Sequence, residues 1–329
     1  MTPASNMSKS TCDTLQYIPS PSEVKELHST SIANCVFNSF LSYTAIMFGI
    51  VTIFAIRKTS VLPKPLKTLL LSVAASDLGV GFLVQPFYVS LLVKWSQTND
   101  PGCAVYKVFI MMMSFFCLAS FLSVLAISVD KLLAIYLHLR YQELVIHKRV
   151  VAVVISIWLL STFLSLMRFW SPTGIGSVIF ATVGVTSLFV TGMVYWRIYV
   201  NVKRHKEQIQ ALQMQEVQQA AQNGDMAYLA NLKKSAISVF YVYLVLLVCY
   251  LPRPIFVATR SILGLSIAVR RFELFSWSLV FLNSSLNPII YCWKMRHIRH
   301  ALVNVLQNIA RRAGTDIFRR DSNRRGSKR

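Results

Sequence analysis

Seven stretches of the chain are long and apolar enough to cross a lipid bilayer, and this feature restricts the fold more than any other. A hydrocarbon core about 30 Å thick needs about 20 apolar residues in a helix. Each stretch is predicted to be helical, because backbone groups in lipid must be hydrogen-bonded within the protein. The expected fold class is an all-α membrane protein, a bundle of seven transmembrane helices over residues 33–56, 66–93, 104–135, 150–166, 178–200, 236–258 and 272–293.

The basic residues lie mainly on one side of the predicted membrane. The 34 Lys and Arg residues exceed the 13 Asp and Glu residues and give a formal net charge of +21. The segments after the first, third and fifth helices and the carboxyl-terminal tail are rich in Lys and Arg, which is typical of cytoplasmic segments. Only the loop after the sixth helix differs, with Arg260, Arg270 and Arg271. We therefore expect the amino terminus outside and the carboxyl terminus in the cytoplasm, and no nucleic-acid partner.

The two ends of the chain are polar. Residues 1–32 are expected to form an extracellular amino-terminal arm, residues 33–293 the bundle, and residues 309–329 a basic cytoplasmic tail. Asn6 begins the sequence Asn6-Met7-Ser8, a glycosylation sequon that is used only if the arm faces the lumen and then the exterior. Ser322 and Ser327 each follow an Arg-Arg pair by two positions, which predicts phosphorylation. The unmodified tail is expected to bind anionic membrane lipids.

Polar residues inside the predicted spans are the main functional candidates, because ionisable groups are costly at membrane depth. Asp77 lies near the middle of the second span and Asp130 at the end of the third. Alternatively, each polar group joins two helices by hydrogen bonds and has no further role. The groups that could converge with Asp77 around water or a monovalent cation such as Na⁺ are Ser120, Asn283, Ser284 and Asn287.

The segment Asn287-Pro288-Ile289-Ile290-Tyr291 resembles the Asn-Pro-x-x-Tyr motif of rhodopsin-like G-protein-coupled receptors. The residues after it resemble the short amphipathic eighth helix of that family, which we assign to residues 294–308. Four further segments resemble signatures of the same family: Leu71 to Asp77 in helix 2, Asp130-Lys131-Leu132 for Asp-Arg-Tyr, Trp158 in helix 4, and Cys249-Tyr250-Leu251-Pro252 for the Cys-Trp-x-Pro hinge.

The resemblance implies a receptor and not an enzyme. In the family, a ligand bound outside shifts a two-state bundle so that helix 6 swings and a cleft opens for a heterotrimeric G protein. The resemblance implies a sodium-linked polar core formed by Asp77, Ser120, Asn283, Ser284 and Asn287, with no other cofactor. It assigns activation and G-protein coupling to Asp130, Lys131, Leu132, Tyr195, Tyr250, Pro252, Asn287, Pro288 and Tyr291.

The expected ligand is a small molecule or a peptide. Met113 stands where amine receptors of the family have an Asp, and Phe281 where visual pigments have the retinal-binding Lys, so both ligand classes are disfavoured. Arg253 near the pocket and Arg168, Arg260, Arg270 and Arg271 around its mouth predict an anionic group on the ligand. Alternatively, Arg253 pairs with an internal carbonyl or reaches the outer surface. The residues expected to bind the ligand are Met113, Ser114, Cys117, Arg253 and Phe281.

Several positions depart from the family pattern. Lys131 replaces the usual Arg and cannot form its planar fork, so a receptor relative that does not couple, serving as a decoy or partner, is an alternative. Gly49, Tyr250 and Ser187 also replace the usual residues. A second alternative is a transporter or channel in which Asp77 lines an ion path.

The outer loops also differ from most members of the family. The second outer loop is short and has no cysteine, so Cys103 is expected either to pair with Cys12 or Cys35 or to remain a free thiol. This loop, with the missing helix 5 proline, resembles the melanocortin, adenosine and cannabinoid branch.

Overall fold

The computed structural model describes residues 20–59, 62–97, 101–137, 141–170, 175–213 and 243–294, and all regular elements in these ranges are helices. A one-turn helix, Tyr141–Leu144, lies between the third and fourth long helices. Asn6, Ser322, Ser327, residues 295–308 of the expected eighth helix and the basic tail lie outside the described residues. The seven long helices are α1 (Pro21–Lys58), α2 (Lys64–Ser96), α3 (Cys103–Leu137), α4 (His147–Trp170), α5 (Ile175–Gln213), α6 (Tyr243–Leu263) and α7 (Ile267–Lys294).

The helices are suited to a membrane in length and in polarity. Within the described residues, six helices, α1 to α6, are both long and apolar enough to cross a bilayer. The remaining helix, α7, has 28 residues and therefore a length of about 42 Å, which is also enough. Its lower hydropathy comes from polar side chains that are buried inside the bundle, among them Ser276, Asn283 and Asn287. The prediction of an all-α membrane protein is confirmed.

The surface and the interior have the polarity expected in lipid. Large apolar side chains such as Phe40, Phe163 and Phe189 are 60 % or more exposed on α1, α4 and α5. Many polar side chains are instead fully buried between helices, which is the reverse of a water-soluble domain. The core between the helices contains Tyr88, Phe109, Leu118, Leu246, Phe256 and Phe281, each at most 1 % exposed.

Helix α1 begins well before the predicted apolar run, because a capping box fixes its start. The Ser20 backbone N–H donates to Glu23 Oε2 at 2.7 Å, and the Glu23 N–H donates to Ser20 Oγ at 3.4 Å. Part of the segment expected to form a separate arm is therefore helical and continuous with α1. We call the end of the bundle at which α1 begins the N end, and the end at which α1 finishes the opposite end.

Small polar side chains join the helices. Ser72 of α2 hydrogen-bonds Ser123 of α3 at 2.9 Å and accepts a bond from Trp158 Nε1 of α4 at 3.0 Å. Between α1 and α7, Asn38 Nδ2 donates to Ser278 Oγ at 3.0 Å, and Ser285 Oγ donates to the Leu41 carbonyl at 3.0 Å. Such bonds replace those that water makes in a soluble protein. They fix the positions of α1, α2, α4 and α7 around the functional residues.

A π-helical turn, Val80–Val84, interrupts α2. Ser42 Oγ of α1 donates to the Gly81 carbonyl in this turn at 2.7 Å. Gly81 also lies close to α1, since a Cβ atom there would be 2.8 Å from the Ala45 Cβ. Just before the turn, a Cβ atom on Gly79 would collide with the ring of Phe116 of α3. The absence of a side chain at both glycines therefore permits the close approach of α1, α2 and α3.

We expect Gly79→Ala to destabilise the fold by about 1 to 3 kcal/mol, because the added methyl group overpacks the contact with Phe116. The measurement is the thermal unfolding midpoint of the purified protein in detergent. Gly49→Ala is the matched control, since its Cβ would lie 3.5 Å from Leu78, an ordinary contact. Ala also favours helix over Gly by up to about 1 kcal/mol, so the control should be neutral or stabilising. Equal midpoints for the two variants would contradict the proposed close packing at Gly79.

Candidate functional site

Asp77 lies at the centre of a buried polar cluster between α2 and α7. Its side chain is 1 % exposed, and Asn287 Nδ2 donates to its Oδ2 at 2.9 Å. Ser284, one turn earlier on α7, is buried and lies close enough to the carboxyl group to interact with it. The Asn-Pro-x-x-Tyr end of α7 thus holds the acidic side chain at mid-depth of α2.

Four oxygen atoms on residues that the sequence grouped with Asp77 are buried without a hydrogen-bond partner in the described part of the chain. They are Asp77 Oδ1, Ser120 Oγ, Asn283 Oδ1 and Asn287 Oδ1. Oxygen atoms, and carboxylates in particular, are the ligands that hard cations prefer. The donor set therefore fits a monovalent cation such as Na⁺, or ordered water. No group of three His, Cys, Asp or Glu residues suited to a transition metal occurs among the described residues.

The polar cluster is linked to a break in α6. Asn283 Nδ2 donates to the Tyr250 hydroxyl at 3.4 Å, and the Tyr250 ring lies 4.3 Å from the ring of Phe121 of α3. Regular α-helical structure is interrupted at Leu251, because the next residue, Pro252, has no N–H to donate. Tyr250 and Pro252 thus connect α3 and α7 to the point at which α6 can bend.

Asp130 at the opposite end is held mainly by a tyrosine. Tyr141 Oη, on the one-turn helix, donates to Asp130 Oδ1 at 2.7 Å. Lys131 Nζ is 3.8 Å from Asp130 Oδ2, at the limit of an ion pair. Burial, followed by the hydrogen bond to Asp130, raises the pKa of Tyr141 well above its ordinary value, so the phenol remains a donor. The lysine in place of the family arginine is therefore not the principal partner of Asp130.

Tyr195 of α5 contacts both α3 and α6. Its hydroxyl and that of Ser128 on α3 are 2.8 Å apart, and its ring lies 5.3 Å from the ring of Tyr243 on α6. Leu132 packs against the same group of side chains. The side chains of Pro288 and Tyr291 lie outside the described residues. The structure thus brings Tyr195 and Leu132 together at the opposite end. Leu132 lies two residues after Asp130 in α3.

A cavity opens at the N end, between α1, α2, α3, α6 and α7. It has about 620 Å³ of empty space, part of it open to solvent. None of the described side chains of α4 and α5 lines it. The lining consists of Val24, Leu27, Ser31, Tyr88, Leu92, Trp95, Ser96, Tyr106, Arg260, Arg270, Glu273, Leu274 and Trp277.

A chain of charged side chains connects three helices beside this cavity. Arg253 Nη1 of α6 is 3.6 Å from Glu273 Oε1 of α7, and Arg270 Nη1 is 3.7 Å from Glu273 Oε2. Arg270 Nε is in turn 3.7 Å from Glu23 Oε1 of α1. The Arg253 guanidinium also lies over the ring of Trp277, 3.8 Å from its centroid, which is a cation–π contact. We call Glu23, Arg253, Arg270 and Glu273 the charged chain.

The residues expected to bind the ligand lie in two places, some in the core and some at the N-end cavity. Met113, Ser114, Cys117 and Phe281 are all buried in the core and do not line the N-end cavity. Arg253 is not part of the lining, but it pairs with the carboxylate of Glu273, which is, and not with an internal carbonyl. Arg260 and Arg270 line the cavity, as expected for the mouth, and the side chain of Arg168 lies outside the described residues.

Cys103 is disulfide-bonded, whereas Cys35 is free. The alternative in which Cys103 pairs with Cys35 is therefore wrong, and so is the alternative of a free thiol at Cys103. The other partner named from the sequence, Cys12, lies outside the described residues.

The sequence matches the family described as 7 transmembrane receptor (rhodopsin family) over residues 49–174 and 167–291, which together exceed half of the chain. The chain belongs to the rhodopsin family of seven-transmembrane receptors. The resemblance drawn from the sequence motifs is thereby confirmed. Members of this family are receptors and not enzymes, so that expectation is confirmed as well.

The relatives of this receptor include proteins that are named after different ligands. The adenosine receptor A2b of Gallus gallus is 28% identical over 131 residues, covering 40% of this chain and 37% of the relative. The histamine H2 receptor of Canis lupus familiaris is 26% identical over 256 residues, 70% of this chain and 67% of the relative. The octopamine receptor beta-1R of Drosophila melanogaster is 22% identical over 316 residues, 84% of this chain and 61% of the relative. The chain spans about a third of the length of the adenosine receptors it matches.

Sequence reasoning missed four residues of the receptor that the structure places at these sites: Glu23, Ser128, Tyr141 and Glu273. A signal was present for Glu273, because it lies three residues after Arg270 and such residues share a helix face. A signal was also present for Glu23, three residues after a serine in the pattern of a capping box. The contact from Tyr141 to Asp130 depends on the turn between α3 and α4, which local patterns do not specify.

We expect Glu273→Gln to lower the stability of the receptor by about 1 to 3 kcal/mol, because it leaves two arginines without their shared carboxylate. The measurement is the thermal unfolding midpoint in lipid nanodiscs. Glu143→Gln, at an exposed position of the one-turn helix, is the matched control and should have no effect. The double variant Glu273→Gln with Arg253→Gln should recover part of the loss, since the unpaired cation is removed. Strictly additive losses would show that the two side chains do not interact.

Proposed function

We propose that this receptor binds a ligand at its N end, outside the cell, and activates a heterotrimeric G protein at the opposite end, in the cytoplasm. The observation that supports this most directly is a pair of hydrogen bonds made by α7: Asn287 bonds Asp77, and Asn283, about one turn earlier, bonds Tyr250, two residues before Pro252. These bonds link α2 and α7, which line the N-end cavity, to the point at which α6 can bend. A movement of α2 or α7 at the cavity can therefore be transmitted to the bend in α6 and so to the opposite end.

The proposed mechanism is a shift between two packings of the bundle. A ligand that contacts α6 and α7 in the cavity changes the relative stability of the two packings. A swing of α6 about Pro252 would separate Tyr243 from Tyr195, whose rings are 5.3 Å apart. The cleft so formed would receive the G protein.

The contact between Asp130 and Tyr141 belongs to the resting packing in this proposal. It holds the end of α3 against the turn that follows. Release of this bond would free Asp130 and expose Lys131. A lysine offers a compact charge with no planar fork, so we expect it to bind the G protein more weakly than an arginine would.

Two alternative functions follow from the sequence. A receptor relative that does not couple is favoured by Lys131, and the experiment below tests it. For a transporter or channel, an open water path past Asp77 is needed. Along α7, the buried rings of Trp277 and Phe281 lie between Glu273 and Asn287, which favours a closed interior.

The decisive experiment is G-protein activation in cells that express the receptor, with a panel of G-protein subtypes and a ligand library. We expect a basal or ligand-dependent signal for one subtype, and we expect Asp77→Asn to alter it because the polar cluster is changed. Lys131→Arg should increase the signal severalfold, since the arginine fork makes paired hydrogen bonds. Lys58→Arg, at an exposed position of α1 at the same end, is the matched control and should leave the signal unchanged.

Two results would contradict coupling by the natural chain. If the receptor is silent at the cell surface and Lys131→Arg signals, the chain is a relative that does not couple. If both are silent across the panel while surface expression is shown, the proposal of G-protein activation fails.

We further propose that the polar cluster around Asp77 binds Na⁺. NaCl should then raise the thermal unfolding midpoint of the purified receptor above that in choline chloride of equal ionic strength. The gain follows RT ln(1 + [Na⁺]/Kd), about 1.4 kcal/mol at ten times the Kd. Asp77→Asn should abolish the difference between the two salts because it removes the carboxylate. Identical midpoints for the natural receptor in the two salts would show that Na⁺ does not bind there.

A further inference from the structure

We propose that the N-end cavity binds an elongated neutral molecule with an aromatic body and two hydrogen-bond acceptors, one recognised by the Tyr88 hydroxyl and one by Trp95 Nε1. This inference rests on the proposed receptor function and names the class of ligand. It places the ligand along α2, away from the α3 positions expected from the sequence, Met113 and Cys117. Neutral acceptors take the place of the expected anionic group, because the arginines at the cavity have partners of their own.

Two hydrogen-bond donors on residues of α2 that line the cavity have no acceptor in the described part of the chain. They are the Tyr88 hydroxyl and Trp95 Nε1, and both atoms are buried. Tyr88 lies close enough to Glu273 and Tyr106, which also line the cavity, for their polar groups to interact electrostatically. A buried donor without an acceptor is costly. A ligand that offers an acceptor to each donor would remove this cost and break no existing hydrogen bond.

The spacing of the two donors calls for two acceptors. Tyr88 and Trp95 are seven residues apart, which is two helical turns and about 10.5 Å along the axis of α2. Leu92, between them, lines the cavity as well, as expected for positions i, i+4 and i+7 of one helix face. Tyr88 is the deeper residue, at 1 % exposed, and Trp95 is partly buried nearer the N end. Because side chains of one helix lean in the same direction along its axis, one acceptor atom cannot bond both donors.

The charged groups at the cavity are engaged with one another, which favours a neutral ligand. Glu273 lies between Arg253 and Arg270, at 3.6 Å and 3.7 Å. Arg270 also reaches Glu23 of α1, and Arg260 has an interaction partner too. A carboxylate or an ammonium group on the ligand would either compete with these pairs or lose its hydration without gaining a partner, and both are costly. A neutral carbonyl group avoids both costs.

Aromatic rings form a continuous row beside the two donors. The Trp95 ring lies 6.0 Å from that of Tyr106, which in turn lies 6.2 Å from the ring of Phe109. Phe109 stacks on Tyr88 with centroids 5.6 Å apart and lies 5.5 Å from the ring of Trp277. All of these residues except Phe109 line the cavity. Flat apolar rings pack well against such surfaces, so the body between the two acceptors is expected to be aromatic.

The test uses four probes built on one skeleton. The first, 3-(4-acetylphenyl)-N,N-dimethylpropanamide, is neutral and has a carbonyl acceptor at each end of its ring. The second lacks the acetyl group and so has one acceptor. In the other two, 3-phenylpropionate and 3-phenylpropylamine, a charged group replaces the amide of the second. Binding to the purified full-length receptor in nanodiscs is measured from the rise in unfolding midpoint with probe concentration, up to about 10 mM.

We expect the one-acceptor amide to bind at least about tenfold more tightly than the acid or the amine, because a charged group loses its hydration there without gaining a partner of its own. The acetyl group should tighten binding by a further factor of about three to ten, because it gives the second donor an acceptor.

Tyr88→Phe and Trp95→Phe each remove one donor. Tyr88→Phe deletes a hydroxyl that has no partner, so the midpoint without a probe should not fall. Each variant should bind the two-acceptor amide about threefold to tenfold more weakly, and in each the acetyl group should no longer tighten binding. Tyr43→Phe and Trp196→Phe are the matched controls, because both side chains lie on exposed faces, of α1 and α5, and should not affect binding.

Four results would overturn the proposal. They are binding of the acid or the amine as tight as that of the one-acceptor amide, no gain from the acetyl group, no shift with any probe, or unchanged affinity for the two-acceptor amide in Tyr88→Phe. None of these readouts involves a G protein. Selective binding of the two-acceptor amide without signalling would preserve the site and count against G-protein activation. Signalling by a ligand whose potency Tyr88→Phe does not change would do the reverse.

Discussion

The hydrogen bond between Asp77 and Asn287 governs the arrangement of the other polar groups, because no water from the bilayer can replace it. About one turn away on α7, Asn283 bonds Tyr250 of α6, whose ring packs against Phe121 of α3. Polar and aromatic contacts made by α2, α7, α6 and α3 thus follow one another along this part of the bundle. The buried contacts of Ser72 with Ser123 and Trp158 join α2, α3 and α4 in the same way. Each bond is modest, but each alternative packing of the helices would leave several polar groups unpaired at once. The arrangement is therefore specific as well as stable.

Much of the bundle could be predicted from the sequence, and the reasons are physical. Long apolar runs specify helices in lipid, because only a helix satisfies the backbone hydrogen bonds of a single segment there. Asp77 could be chosen as a candidate because an ionisable residue in the middle of a span is costly. The start of α1 was not predicted, because hydropathy does not detect a polar first turn. That turn begins at Ser20, which caps the helix. The partner of Asp130 was also missed. Tyr141 reaches it only because the chain turns after α3, and turns are not periodic.

The N end shows a different limit of prediction. Arg253 and Arg270 were recognised as charges near a pocket, but their partners Glu273 and Glu23 were not, and the expected excess of positive charge was therefore too large. Pairing between helices that are distant in sequence is a property of the packed bundle. The residues of α3 that were expected to contact a ligand, Met113, Ser114 and Cys117, are buried. One turn nearer the N end, Phe109 packs against the rings of Tyr88 and Trp277. The side chains that fill the bundle determine where a cavity remains between the helices of this family.

The π-helical turn in α2 has a consequence for the direction in which later residues point. A π turn accommodates one extra residue, and one residue corresponds to about 100° of rotation in an α-helix with 3.6 residues per turn. All positions from Gln85 to Ser96 are therefore out of phase with a regular continuation of Lys64–Gly79. Tyr88 and Trp95 owe their inward orientation to this offset. Any residue-by-residue comparison of α2 with a receptor whose second helix is regular requires a one-residue gap at Val80–Val84, and without that gap lipid-facing positions would be equated with cavity-facing ones.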